Sequence, residues 1–460
     1  MRAEMGEGKM SGDVSDAMVK FITQTQLEDI PESTLEFVKG LALKTISGIL
    51  AGSTMPTGKK TAEYIRESHA TPEVGIIGCG FKASLWEAVF ANTIFAHQSE
   101  LEDDRFDGGA SWDITVFPIT FSLGERRALS GRQFLEASAV GLEVHCRTCL
   151  FPTQHVGLQL VPGGVGPAAA AAKALGLDEQ KTTWALGLGM SAPPLSFLNF
   201  GTDAHYFESA MQSLQGLMAG QMAGAGLNGN PEIGRFLSYL LGKEKVEPKA
   251  IIEDLGTRWL LEEIWVKKYP CCFGTHRQID ALLELMRDNN VAYEQIDSVE
   301  VHISKVDRVL DRPEPRTLGD LQFSFQHVLA AAMVDEDVNL GHFALDRVND
   351  MKLNEARRKV KVTIHYDWPS GTMESPAVID LILKNGRRLT KERQYAVGSP
   401  GEPLAKEHFR ELYRKFTEGI LPDEQIEQTA NQIMSMEKLD SLEALMNTLT
   451  LGPFGTKAKF

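Results

Sequence analysis

The chain of 460 residues is poor in several things, and each shortage excludes something. There are five cysteines: Cys79, Cys146, Cys149, Cys271 and Cys272. An odd number with two neighbours adjacent is a poor disulfide framework, which points to a reduced, cytoplasmic setting. No run reaches the ~18 apolar residues of a membrane span. The longest apolar-rich stretch, PAAAAAKALGL from Pro167, is short and carries Lys173. MRAEMGEGKMSGDVSDAMVKF, at the N-terminus, has no apolar core of signal-peptide length. Positive charge is also scarce: Lys+Arg is 47 against Asp+Glu 62, a net charge of −15. That balance repels phosphate backbones and anionic lipid, so neither nucleic acid nor membrane is an expected partner. The sequence contains no P-loop, no internal repeat and no second C-x-x-C at zinc-ligand spacing.

What is present reads as a folded protein of two or three domains, at about 150 residues each. Hydrophobic residues make up 43% and charged residues 24%, enough apolar side chain for a large core. Residues 1–18 read as a flexible tail. Helical spacing begins at Val19 and runs through Val38, Leu41, Ile46 and Ile49. A further helix is predicted within Lys82–Gln98, and others from Pro118 to about Leu150 and from Glu208 to Ala225. GGVG at 163–166 resembles a phosphate loop only superficially, and reads better as a tight start to an alanine-rich helix. Cys146 and Cys149 fall inside a helical run and read as buried thiols. Strand alternation is confined to SVEVHIS (298–304), KVKVTIHYD (359–367) and VIDLILKNGRRL (378–389), the last with an Asn385-Gly386 hairpin signal. The predicted fold is therefore mainly α with an inserted α+β domain. A large helical domain, residues 19–265 and 395–460, is built from both chain ends, and residues 266–394 form a smaller lid domain.

Two stretches concentrate chemistry. SELEDDRFDGGASWD (99–113) crowds carboxylates beside His97, with Phe106, Asp107 and Trp112 among them. Crowded carboxylates raise one another's pKa, so one of them can serve as acid or base. VKKYPCCFGTHRQIDA (266–281) gathers Lys267, His276 and Arg277 around an X-Pro break, as donors for carboxylates.

The second stretch resembles the MmgE/PrpD family signature K-x-Y-P-C-C-x-x-x-H-x-x-I-D-A. GPAAAAAKALGLD resembles the family's alanine-rich helix, and LKNGRRLTKERQYAVGSPGEPL its C-terminal glycine-proline stretch. The resemblance runs from about Val19 to Leu449. It implies a helical domain with an α+β lid, a homodimer, and dehydratase, decarboxylase or epimerase chemistry on a small carboxylic acid. That chemistry needs no metal and no cofactor. The protein itself supplies a base, an acid and cations for the substrate carboxylates.

Departures from the family pattern cluster at its polar positions. A-H-x-x-D-F-D-D-T becomes AHQSELEDD: His97 is kept, Glu100, Glu102 and Asp103 stand for the three aspartates, and Asp104 for the threonine. The histidine of H-P-x-G-x-V-x-P becomes Ser111. The lysine of G-T-x-T-K-x-x-H becomes His205, and its histidine Glu208. The histidine before the alanine-rich helix has only His155 nearby, and His327 replaces a usual tyrosine. The resemblance thus implies proton chemistry at His205, His327, Asp104, Glu100 and Asp103. It implies substrate binding at Lys267, His276, His97, His155 and Ser111. Loss of a cation predicts a substrate with fewer carboxylates, or one carrying an amine. A lyase is the first reading. An epimerase using His205 and His327 is the second, and a non-catalytic ligand-binding homologue the third.

Overall fold

A computed structural model describes residues 5–105, 111–153, 156–159, 161–369 and 374–450, with side chains from residue 14 onward. The chain divides into two compact units. Among the described residues, one spans 5–98, 102–264 and 405–450, and the other 99–101 and 265–404. The architecture is mainly α with an inserted α+β region. None of the described helices is long and apolar enough to cross a membrane.

In the first unit, the expectation of a loose tail is corrected over residues 5–18. A helix spans Met5–Gln24 and buries Val14, Met18, Val19 and Ile22. Val14, Met18 and Ile22 recur every fourth residue and form one helical stripe. The glycines and polar residues between them hide this spacing. The stripe packs with Val140, Val144, Val165, Ala169, Leu186, Ile233 and Leu237 in one apolar core. The alanine-rich helix Val165–Ala174 lies so close to the helix Asp203–Gly224 that only glycine fits there. A Cβ on Gly216 would stand 2.2 Å from the Cβ of Pro167. The glycines before Pro167 likewise serve close approach: a Cβ on Gly166 would meet His145 at 2.2 Å.

Cys146 and Cys149 are buried at the end of the helix Gly131–Thr148. The residue between them carries the polar work. Arg147 pairs with Glu143 at 2.6 Å and donates to the carbonyls of Ile251, Glu253 and Arg258. Glu143 in turn accepts from the Leu261 amide at 3.0 Å. This buried pair fixes the 251–261 segment to the helical core.

The second unit carries a four-stranded sheet in the order 360–365, 296–304, 377–383, 388–393. The first pair is parallel and the other two are antiparallel. Val299, Val301, Ile303, Ile379 and Leu381 face inward, as their alternation predicts. Gly386 takes φ 85° in the hairpin turn, a conformation cheap only for glycine. The unit also contains the helices His276–Asp288 and Phe325–Asp335.

Candidate active site

In the helical unit the polar cluster grows from the end of the helix Leu85–Gln98. Its last turn delivers His97, fully buried, toward the segment that follows residue 110. Ser111 there has φ 71°, in the left-handed region where a serine is strained. Asp104 holds it, accepting the Ser111 amide at 2.9 Å. The Ser111 hydroxyl stands 3.2 Å from Nε2 of His97.

The other side of the His97 ring sets its protonation. Nδ1 lies 2.7 Å from the hydroxyl oxygen of Ser209. That hydroxyl donates its one proton to the Tyr206 carbonyl, 2.9 Å away. Ser209 therefore accepts from Nδ1, and Nε2 faces the Ser111 hydroxyl. Glu102 approaches the same Nε2 at 3.9 Å. The His205 ring lies tilted against His97 with centroids 4.2 Å apart, and Phe200 packs against His205. Four residues named from the sequence, His97, Ser111, His205 and Asp104, thus meet in one buried cluster.

Asp103 has a different occupation. Lys44, projecting from the helix Glu32–Ser53, pairs with it at 3.3 Å, and both side chains are fully buried. The Asp103 amide donates to Asp113, which also accepts from the Thr45 hydroxyl at 2.6 Å. Burial pushes the Asp113 carboxyl above its usual range. These contacts tie Asp103 into the loop. Glu208 is likewise engaged, accepting from the Ser196 amide and the Asn199 side chain.

In the second unit, Lys267 pairs with Glu100 at 3.0 Å, each about 1% exposed. The neighbouring Lys268, the Tyr269 hydroxyl and the Val397 amide all converge on Asp280. Burial, then the Asp280 charge, raises the Tyr269 hydroxyl well above its ordinary pKa. His276 is buried, stacks on Phe273 at 4.6 Å, and donates Nε2–H to the Cys271 carbonyl at 3.2 Å.

The expectation that His327 moves protons is corrected by its surroundings. Its Nε2 contacts the His342 carbonyl at 2.8 Å and its Nδ1 the Arg357 guanidinium at 2.9 Å. Burial holds the imidazole down at about 3, so it stays neutral at physiological pH. With both nitrogens committed it is a structural histidine, and the proposed His205–His327 base pair loses a member. His155 and Asp107 lie outside the described residues.

Sequence reasoning missed Ser209, Lys44 and Asp113. Ser209 follows His205 by four residues on one helix, which puts both on the same face. Lys44 is a lone ammonium in an otherwise apolar helical run, and such a charge needs a buried partner.

Comparison with known proteins adds the relatives. The model of the MmgE/PrpD N-terminal domain matches residues 16–235, and that of the MmgE/PrpD C-terminal domain matches 269–436. Cis-aconitate decarboxylase of Mus musculus is 27% identical over 390 residues, covering 80% of this chain and 78% of the relative. Cis-aconitate decarboxylase of Homo sapiens is 25% identical over 80% of this chain and 79% of its own length. Cis-aconitate decarboxylase of Aspergillus terreus is 22% identical over 98% of both chains.

Proposed function

The chain belongs to the MmgE/PrpD family, and from that premise we propose that it is a cofactor-independent lyase, a decarboxylase or dehydratase of a small carboxylic acid. The observation that carries the reading is the buried His97, its Nδ1 proton committed to Ser209 and its Nε2 turned to the Ser111 hydroxyl. A neutral imidazole with one oriented lone pair is a general base, and after taking a proton it is a general acid. In this reading His97 moves the proton at the carbon next to a carboxylate, directly or through Ser111. His205, whose ring lies against it, stabilises the imidazolium environment. Lys267 and His276 keep the carboxylate-binding roles expected from the sequence. An ammonium has three donors, so pairing with Glu100 does not by itself exclude a substrate oxygen. Because these groups are buried, a segment must open before substrate enters.

The relatives are named for cis-aconitate, a tricarboxylate, and local charge refines that. Lys44 is matched by Asp103 and Lys267 by Glu100, which lowers the positive charge offered to substrate. We therefore expect a dicarboxylate or an amino-carboxylate to be preferred over a tricarboxylate such as cis-aconitate. An epimerase needs two bases on opposite faces of one carbon. His97 and His205, with centroids at 4.2 Å, are in ring-to-ring contact and admit no carbon between them. This favours the lyase.

The test is incubation of the full chain with a panel of small carboxylic acids in deuterated water. Released carbon dioxide or a new alkene supports the proposal. Deuterium incorporation with inversion and no group lost would replace it with the epimerase. No turnover of any acid, with binding retained, would favour the ligand-binding homologue. The proposed assembly is a homodimer, to be checked by light scattering.

A further inference from the structure

The helix Asp203–Gly224 turns His205 and Ser209 inward to this chemistry, and its outer face is apolar. His205, Ser209, Ser213 and Leu217 are buried, and the helices Leu85–Gln98, Val165–Ala174 and Glu179–Gly189 pack against them and their neighbours. Phe207, Met211, Leu214, Met218 and Met222 recur at spacings of four and three on the opposite side and form one stripe. Phe207 is 52% exposed, and the other four are half-buried. Two hydrogen bonds mark the borders of the stripe, from residues about 120° apart around the helix. Gln221 accepts from the Trp86 indole at 2.6 Å, and Gln215 donates to the Leu188 carbonyl at 3.2 Å. Trp86 is itself 41% exposed, and Phe90 packs edge-on against Phe207 with centroids 5.7 Å apart. Apolar surface therefore continues from the stripe onto the helix Leu85–Gln98.

Charge and size both bear on what covers this face. Residues 182–202 and 209–231 contain no Asp, Glu, Lys or Arg, in a chain where those make up 24%. With a net charge of −15, two copies of the chain repel over most of their surface, and an uncharged face is where that repulsion is weakest. The solvent side of a helix is ordinarily polar, so a continuous apolar stripe there marks an interaction surface. The 22 residues make a helix about 33 Å long. Neighbours at axis spacings of 8–10 Å widen the face to roughly 25 Å. That gives about 800 Å² on each copy, the area a stable complex buries per partner.

The spacing of the stripe also reads the same in both directions. Reversed about the midpoint of Leu214 and Gln215, it sets position 207 on 222, 211 on 218 and 214 on 215. A twofold axis demands this pattern, because there one patch meets itself. A different protein would need no such symmetry. We propose that this face is where two copies of the chain join, with their Asp203–Gly224 helices antiparallel across the axis. Phe207 of each copy then meets Met222 of the other, and Met211 meets Met218. Methionine suits such a seam, since its unbranched side chain fills irregular gaps. The inference rests on the homodimer proposed above and is independent of the lyase reading.

The experiment is light scattering and sedimentation of the full chain over a range of concentrations. The parent is expected to be a dimer. Met218→Glu and Met211→Lys should each weaken association by at least about 30-fold, the effect of losing a central contact. Both side chains are on the outer stripe, so the variants are expected to fold, which circular dichroism checks. Combining M211K with M218E in one chain should tighten association again, because the antiparallel register sets position 218 of one copy against position 211 of the other. Leu214→Cys should cross-link two copies with a short bifunctional maleimide, and Met351→Cys, 87% exposed in the other unit, should not. If a charged variant fails to fold, this cross-link decides. A monomeric parent would overturn the homodimer and this face together. A dimeric parent whose single variants stay equally dimeric, or whose Leu214→Cys form does not cross-link, would overturn the face alone. A double variant no tighter than the single ones would overturn the antiparallel pairing.

Discussion

Lys267→Met separates what the buried ion pair does for the fold from what it does for substrate. The ammonium and the Glu100 carboxylate are 3.0 Å apart and about 1% exposed. At an effective dielectric of about 20, two unit charges at that distance attract by about 5 kcal/mol. Breaking such a pair from one side costs roughly 3–5 kcal/mol, because a buried carboxylate loses the ammonium facing it. The sequence alone gives no reason to expect this cost, since it marks Lys267 only as a substrate-binding residue. Adding Glu100→Gln removes the stranded charge, and most of the stability should return. Catalysis should not return with it. A charged hydrogen bond to a substrate carboxylate is worth about 1.5–3 kcal/mol, so kcat/KM should stay down by roughly 10–150-fold. Urea unfolding followed by circular dichroism gives the first quantity, and turnover of the accepted acid gives the second. Recovery of both stability and kcat/KM in the double variant would refute the anchoring role. A single variant as stable as the parent would refute the pair.

Three further predictions follow from buried groups. Burial holds His145 and His327 at about 3, against an ordinary 6.5. Between those values the unfolded chain takes up protons that the folded chain does not, so stability falls as pH falls from 6.5. Each ring contributes about 1.4 kcal/mol per pH unit. Asp307, raised by burial from 3.8 to about 6, acts in the opposite sense and offsets one of the two rings between pH 3.8 and 6. Urea midpoints measured from pH 7 to 4 check the net slope, and a flat profile would contradict it. Arg147→Met should destabilise by roughly 3–5 kcal/mol, and Glu143→Gln in the same chain should return part of that; thermal melts decide. Ser209→Ala should lower kcat about fivefold, the value of ~1 kcal/mol for one hydrogen bond, while Ser209→Thr should rescue it. Equal kcat in all three proteins would detach Ser209 from the chemistry.

The parts of this fold that could be read from sequence are those whose signal is local. Val299, Val301 and Ile303 alternate because one face of their strand is buried, and Gly386 marks its turn because the turn requires a positive φ. The parallel pairing of 296–304 with 360–365 joins segments about 60 residues apart, and no local pattern encodes which strands meet. The N-terminal helix escaped because its buried stripe is one residue wide, and only Val140, Val144 and their neighbours give Val14 and Met18 a reason to order.

The site divides along the same line, and the division explains why residue type predicted membership better than role. A histidine or carboxylate in this sequence is recognisable as chemistry-bearing, but what it does is decided by who holds its other atoms. His97 and His327 look alike in the chain. In the fold, His97 has Nδ1 bound to a hydroxyl and Nε2 turned toward another hydroxyl. His327 has one nitrogen on a carbonyl and the other on a guanidinium. The guanidinium makes protonation costly, whereas two hydroxyls can reorient to accept or donate as the ring changes charge. Asp103 and Asp104 differ in the same way, one neutralised by Lys44 and the other spent on holding Ser111 in a strained conformation. That strain needs a use to persist, and aiming the Ser111 hydroxyl at His97 supplies one. Ser111→Gly should therefore stabilise the fold, by relieving the positive φ, while lowering turnover. A variant that loses both stability and activity would show that the serine is kept for structure alone.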